Sequence, residues 1–261
     1  MKQTTIKLEI NHSIAKITFN RPTIHNAFDD LLIEELTQTL ISIEQYKQIR
    51  VVLLTSTGTS FCAGADLNWM KKMAEYSRDE NLKDAQALAK LMEVLNNLSK
   101  PTIALVQGPT YGGGVGLVAC CDIAIAAHEA NFCLSEVKLG LVPAVISPYV
   151  IDAIGARAAR RYFLTAEKFD AEAALRLGLI HQIVPSQELE TAGTQLAKTI
   201  ISNSPNAVTT AKKLISKINK QFIDKKLIQI TAECIADIRS SAEGKEGVNA
   251  FLQKRKPSWP E

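Results

Sequence analysis

The chain lacks most of what would tie it to metal, redox or nucleic-acid chemistry. Its five cysteines, Cys62, Cys120, Cys121, Cys133 and Cys234, form no C-x-x-C pair and no metal-ligand spacing. Cys120 and Cys121 sit in an apolar run, where free thiols are ordinary buried residues, so no metal and a reducing compartment are expected. There is no excess of one charge: 30 Lys and Arg face 27 Asp and Glu, for a net charge of +3. Without an arginine-rich run, an RNP motif or aromatic residues interleaved with basic ones, no nucleic-acid footprint is expected. A long apolar segment is missing too. Met1-Lys2-Gln3 leads directly into alternating residues, and the most apolar window, Val115 to Ala127, is interrupted by Asp122. A soluble, cytoplasmic protein with no membrane partner is expected.

Three catalytic signatures are absent as well. The glycines near position 113 are not followed by Lys and Ser or Thr, which excludes a P-loop. Gly116 stands one residue too close to Gly114 for G-x-G-x-x-G. No G-x-S-x-G elbow is present for a Ser-His-Asp hydrolase.

What is there begins with Gly112-Gly113-Gly114, entered from the apolar Thr102 to Val106 and left through small residues. Three consecutive glycines remove every Cβ from one turn, so a ligand oxygen can approach the backbone amides directly. If a buried strand precedes the run and a helix follows it, those amides lie at the positive end of the helix dipole. The other reading is a strand-to-helix turn that needs glycine to pack tightly.

Length and composition allow a large core: 261 residues, 46% of them hydrophobic. Ile6, Leu8, Ile10 and then Ile14, Ile17, Phe19 flank the turn residues Asn11-His12-Ser13, which predicts an opening β-hairpin. A helix is expected from Asp29-Asp30 through Leu40, and another from about Asn81 to Leu98, stopped before Pro101. Strands are expected at Val51 to Thr55, Thr102 to Val106, Asp122 to Ala126 and Asn131 to Leu134. Beyond about Thr165 the pattern turns helical, at Ala171 to Leu177, Glu188 to Ile201, Pro205 to Ile218 and Lys225 to Ile238. The fold class predicted is α/β.

Four motifs occur in order: Asn20-Arg21-Pro22-Thr23-Ile24-His25-Asn26-Ala27-Phe28, Ser60-Phe61-Cys62-Ala63-Gly64-Ala65-Asp66-Leu67, Gln107-Gly108-Pro109-Thr110-Tyr111-Gly112-Gly113-Gly114, and Phe132 to Pro143 around Glu136. Together they resemble the enoyl-CoA hydratase/isomerase (crotonase) superfamily over nearly the whole chain. The resemblance implies a crotonase-like spiral of β-β-α turns with the acyl-CoA site over residues 1–200, and a helical region over 201–261 that builds trimers or hexamers. It also implies an acyl-CoA thioester substrate, and no cofactor beyond the coenzyme A that the substrate carries. The thioester oxygen would lie between the amides of Ala65 and Gly113, which would stabilise an enolate.

By the same resemblance, Thr23, Ile24, His25, Ala63, Ala65, Asp66 and Leu67 fall where coenzyme A is bound, with carbonyls of the second motif receiving the adenine amino group. His25 read alone is a surface turn residue, and His12, His128 and His181 lie in unrelated contexts. Glu136 read alone is a solvated residue at a strand end. In the motif it takes the place of the acid/base glutamate, where partial burial would raise its pKa.

Two departures stand out. Hydratases of the two-glutamate type carry a second Glu where this chain has Gly116, so the second acid is lost and space is expected there for a carboxylate brought by the substrate. Pro143 to Tyr149 replaces a glycine-rich turn, which implies an altered acyl pocket. The segments around Asp66, Gly116 and Pro143 look like those of bacterial methylglutaconyl-CoA hydratases of leucine and isoprenoid-acid breakdown. A hydro-lyase for that thioester is the first expectation, a Δ3-Δ2 enoyl-CoA isomerase using one glutamate the second, and a non-catalytic RNA-binding protein the third.

Overall fold

The computed structural model describes residues 4–259. Strand β1 (Ile6–Asn11) and β2 (Ile14–Phe19) form the expected hairpin, and α1 (Asp30–Gln45) follows, its first turn capped by the Asp29 carboxylate on the Leu32 amide. Next come β3 (Val51–Ser56), a short α2 (Leu67–Met73) and a long α3 (Arg78–Asn97). The last of these starts three residues before the expected Asn81, because Ser77 and Glu80 close a capping box there. Strands β4 (Thr102–Val106) and β5 (Thr110–Tyr111) lead into α4 (Gly113–Cys120), and β6 (Ile123–Ala127) and β7 (Asn131–Cys133) lead to α5 (Ser147–Thr165). The chain continues through β8 (Phe169–Asp170), α6 (Ala171–Leu177), β9 (Gln182–Val184) and α7 (Leu189–Ile201). It then runs through α8 (Pro205–Ile218), α9 (Lys225–Ser240) and α10 (Ala242–Leu252).

Six strands form the main sheet in the order β1-β2-β3-β4-β6-β9, parallel except for the hairpin. A second sheet, β5-β7-β8, lies beside it, with β5 and β7 parallel. The α/β reading therefore holds, and two successive turns, β4-β5-α4 and β6-β7-α5, each lay one strand in each sheet before the helix.

Alternation along the parallel strands divides the core in two. Val51, Leu53, Ile103, Leu105 and Ile125 face one way and meet Leu189 and Ala197 of α7. Val52, Leu54, Ala104, Val106, Ala124 and Ala126 face the other and meet α1, α3 and α4 through Leu36, Leu40, Met92 and Val115. The loop that carries Ala65 leaves β3 of the main sheet, whereas the glycine run and Glu136 follow β5 and β7 of the second sheet. Among the described residues no helix is long and apolar enough to cross a membrane, and no cluster of His, Cys, Asp or Glu could hold a metal.

Candidate active site

The glycine run closes the gap between β5 and α4. Gly112 has φ 49° and ψ −121°, a conformation that favours glycine, and its N–H donates to the Cys133 carbonyl of β7 at 2.9 Å. That bond pins the turn to the second sheet. Gly113 is the first residue of α4, so its N–H has no acceptor within the helix and points out of the positive end.

The second donor comes from the loop after β3. Phe28 N–H donates to the Gly64 carbonyl at 2.7 Å and Asp66 N–H donates to the Phe28 carbonyl at 2.7 Å, a single parallel bridge centred on Ala65. In such a bridge the middle residue turns its own N–H to the opposite side. The Ala65 amide thus faces away from Phe28. Tyr111 N–H donates to the Cys62 carbonyl at 2.8 Å, which lays this loop along β5, and a Cβ on Gly112 would stand 3.9 Å from Gly64 Cα. The residues after those two abutting glycines are Ala65 and Gly113, and among the described residues neither amide has a backbone acceptor.

Glu136 opens a 3₁₀ turn, Glu136–Leu139, directly after β7. Its Oε1 lies 3.2 Å from where a Gly112 Cβ would be, so the carboxyl rests on the glycine turn. Its Oε2 is buried without a hydrogen-bond partner. Burial pushes the Glu136 pKa up, and a hydrogen bond from its own backbone amide opposes the shift only in part. A partly desolvated carboxyl with one oxygen free of partners, beside free backbone donors, is suited to taking up and returning a proton.

The residues expected to meet coenzyme A divide into two groups. Thr23 and Ile24 lie in a 3₁₀ turn, Pro22–Ile24, and His25 follows in the left-handed region with φ 54°. Thr23 and His25 are exposed, and the Ala63 N–H donates to the His25 carbonyl at 3.0 Å, which joins the two motifs along one edge. His25 Nδ1 lies 3.1 Å from Ser60 Oγ. Leu67 is 74% exposed at the start of α2. The Asp66 carboxylate, by contrast, is buried and accepts the Asn68 and Trp69 amides at 2.8 and 3.1 Å. Its Oδ1 is committed to capping α2, its N–H donates to the Phe28 carbonyl, and its carbonyl accepts the Met70 amide at 2.8 Å, so Asp66 serves the fold of this loop.

Residues within the motifs that carried no assigned role fasten this edge. Asn26 Nδ2 donates to the carbonyls of Thr57 and Ser60, each at 2.8 Å, while its Oδ1 accepts the Arg21 amide at 2.8 Å. Gln107 Nε2 donates to Ser56 Oγ at 2.7 Å and to the Ser60 carbonyl at 3.1 Å.

Two expectations are corrected. No free space adjoins Gly116: a Cβ there would lie 2.2 Å from Ile146 Cγ2, 2.8 Å from Ile146 Cβ and 3.3 Å from Met92 Cε. The atypical segment from Pro143 to Tyr149 lowers Ile146 onto α4, so the two departures in the sequence are halves of one contact. The second correction concerns the glycine run, whose two readings do not compete. A Cβ at Gly113 would lie 2.8 Å from Phe28 Cε2, and one at Gly114 would lie 2.9 Å from both Cys62 Cβ and the Cys62 carbonyl. The same glycines that bare the amides are needed for close packing.

Comparison with known proteins identifies the family and the fold. A model of the enoyl-CoA hydratase/isomerase family matches residues 9–261. A crystal structure of an enoyl-CoA hydratase from Shewanella pealeana is 48% identical, covers 98% of this chain and 96% of its own, and superposes with a TM-score of 0.94. The short-chain-enoyl-CoA hydratase of Clostridium acetobutylicum is 33% identical over 258 residues, 98% of this chain and 97% of that protein. The hydroxycinnamoyl-CoA hydratase-lyase of Pseudomonas fluorescens is 33% identical over 217 residues, 80% of this chain and 76% of that protein. With the crotonase fold, the glycine turn and the family match in agreement, the chain belongs to the enoyl-CoA hydratase/isomerase family and is an enzyme of it.

Proposed function

We propose that the enzyme hydrates an enoyl-CoA thioester through an enolate held by the Ala65 and Gly113 amides, with Glu136 as the only side chain that moves protons. Water adds its oxygen to the β-carbon, its proton passes to the Glu136 carboxylate, and the same group returns a proton to the α-carbon. Negative charge gathers on the thioester oxygen during the addition. Two fixed backbone donors there stabilise the transition state more than the ground state, by roughly 3 kcal/mol for one such donor in a water-poor site. The observation that carries the reading is the Glu136 carboxyl packed against the Gly112 turn with its buried Oε2 unpartnered.

Methylglutaconyl-CoA is the proposed substrate, on the likeness of the Asp66, Gly116 and Pro143 segments to the hydratases of that thioester. No second glutamate at position 116 fits a substrate unlike a simple straight-chain enoyl-CoA. The Ile146 contact also favours a second reading, Δ3-Δ2 enoyl-CoA isomerisation, because one carboxyl can remove a proton at C2 and return it at C4 with no water to hold. Coenzyme A would lie along the Thr23–His25 and Ala63–Leu67 edge. A trimer or hexamer in a reducing, cytoplasmic setting completes the proposal; exposed apolar side chains on the last helices, among them Ile228, Ile235, Val248 and Phe251, suit such an assembly.

Purified protein assayed against a panel of acyl-CoA thioesters tests the reading. Methylglutaconyl-CoA hydration is expected to show the highest kcat/KM. Faster isomerisation of a 3-enoyl-CoA would transfer the assignment to the second reading, and turnover of no thioester would remove both.

A further inference from the structure

Position 116 cannot carry a side chain while Ile146 stands where it does. Gly116 lies one helical turn beyond Gly112, and its N–H reaches back to the Gly112 carbonyl at 3.4 Å. Since Glu136 Oε1 rests on Gly112, residue 116 is the next place along α4 from which a second acid could approach the same region. Instead, Ile146 Cγ2 occupies the point only 2.2 Å from its Cβ position. Ile146 is 2% exposed, Met92 Cε lies 3.3 Å from the same Cβ position, and Met92 Sδ lies 3.7 Å from Cys120 Sγ. A water held for addition needs two to four polar partners. This wall offers it none.

We infer that Ile146 is a specificity-determining residue: by filling the space over Gly116 it holds the site to one carboxyl and sets it against hydration of enoyl-CoA thioesters that bring no polar group of their own. The inference rests on the reading of Glu136 as the proton carrier. Its content is that positions 116 and 146 form a steric lock that can change only together. Truncating Ile146 to Ala would not open the lock, because the Ile146 Cβ is itself 2.8 Å from the Cβ position at 116. Glycine removes both obstructing atoms, and Ile146 has φ −85° and ψ −13°, an ordinary right-handed backbone that glycine also adopts.

The test compares wild type with Gly116→Glu, Ile146→Gly and the double variant, by thermal unfolding and by crotonyl-CoA hydration. Gly116→Glu alone is expected to unfold at a lower temperature and gain no hydration. The double variant is expected to unfold at a higher temperature than Gly116→Glu and to hydrate crotonyl-CoA faster than wild type by roughly 10²-fold or more, the contribution typical of one acid/base group. A Gly116→Glu protein as stable as wild type, or a folded double variant with the wild-type hydration rate, overturns the inference. If the Glu double variant does not fold, Gly116→Asp with Ile146→Gly is judged by the same outcomes. Gly116→Ala combined with Ile146→Gly reads the lock by stability alone, and strictly additive costs also overturn it. Glu136→Gln in the wild-type background separates this from the parent reading: full turnover there removes Glu136 as the base while leaving the coupling of 116 and 146 measurable.

Discussion

At the scale of single residues, the proposed chemistry rests on where the fold places Glu136 rather than on what surrounds it in sequence. Its pKa is raised by burial, so the native protein holds this proton to higher pH than the unfolded chain does. The linkage sign follows: the native state is favoured by this group below the unfolded carboxyl pKa, and that contribution is lost as pH rises through the folded value. Glu136→Gln should therefore unfold at a higher temperature than wild type at neutral pH, and the difference should shrink at acid pH. Calorimetric scans at several pH values measure this, and an unaltered melting temperature at every pH would contradict the burial argument. As a base, Glu136 must be ionised, so kcat/KM in the wild type should fall on the acid side with a midpoint above the ordinary glutamate range. A midpoint at the ordinary value would show that the buried oxygen is solvated in catalysis.

Gly113 makes a related point. Its missing Cβ would press on the Phe28 ring at 2.8 Å, so Gly113→Ala is expected to lose about 1–3 kcal/mol of stability as well as activity. Denaturant unfolding checks the first effect, and a fully stable variant would show that the ring moves aside freely.

At the scale of elements, the sequence made the long and periodic pieces readable and hid the short or interrupted ones. The hairpin, α1, β3, β4, β6 and the helices from α6 to α9 all follow their hydrophobic period. The seven residues of α2 are too few to show one, and its cap, Asp66, reads in sequence as a ligand contact. In α5 the backbone leaves the helical region at Gly155, with φ 74° and ψ 154°, which breaks the period in the middle. Gly244 and Gly247 weaken the helical signal of α10, although Gly244 is required at its start, where a Cβ would lie 2.0 Å from the Ile238 carbonyl. Strands β5, β8 and β9, two or three residues each, are defined by their partners and not by any alternation of their own. The glycine turn was legible because glycine marks it directly; the Ile146 contact was not, because it joins residues thirty positions apart. Removing the α2 cap is informative here: Asp66→Ala is expected to cost about 0.5–2 kcal/mol and to raise KM for the thioester, since Ala65 is its neighbour. Unchanged stability would mean that the loop, not the cap, holds Ala65.

At the scale of the whole molecule, two sheets share the work: the Ala65 loop leaves β3 of the main sheet, while the glycine turn and Glu136 follow β5 and β7 of the second sheet, and the Tyr111 to Cys62 bond ties the two together. Phe222 and Ile223, between α8 and α9, and Phe251 and Leu252, at the end of α10, are more than two-thirds exposed. An assembly that covers such a surface is expected, and light scattering should give three or six times the 28.6 kDa of one chain. A stable monomer at micromolar concentration would contradict it.

The claim on which the account turns is that one carboxyl, Glu136, moves every proton while backbone amides hold the thioester oxygen. Steady-state turnover of Glu136→Gln on its best thioester, paired with calorimetric binding of that thioester, measures it most directly. The account expects kcat to fall by about 10² to 10⁴ with binding little changed. Near-normal turnover in the folded variant would contradict it.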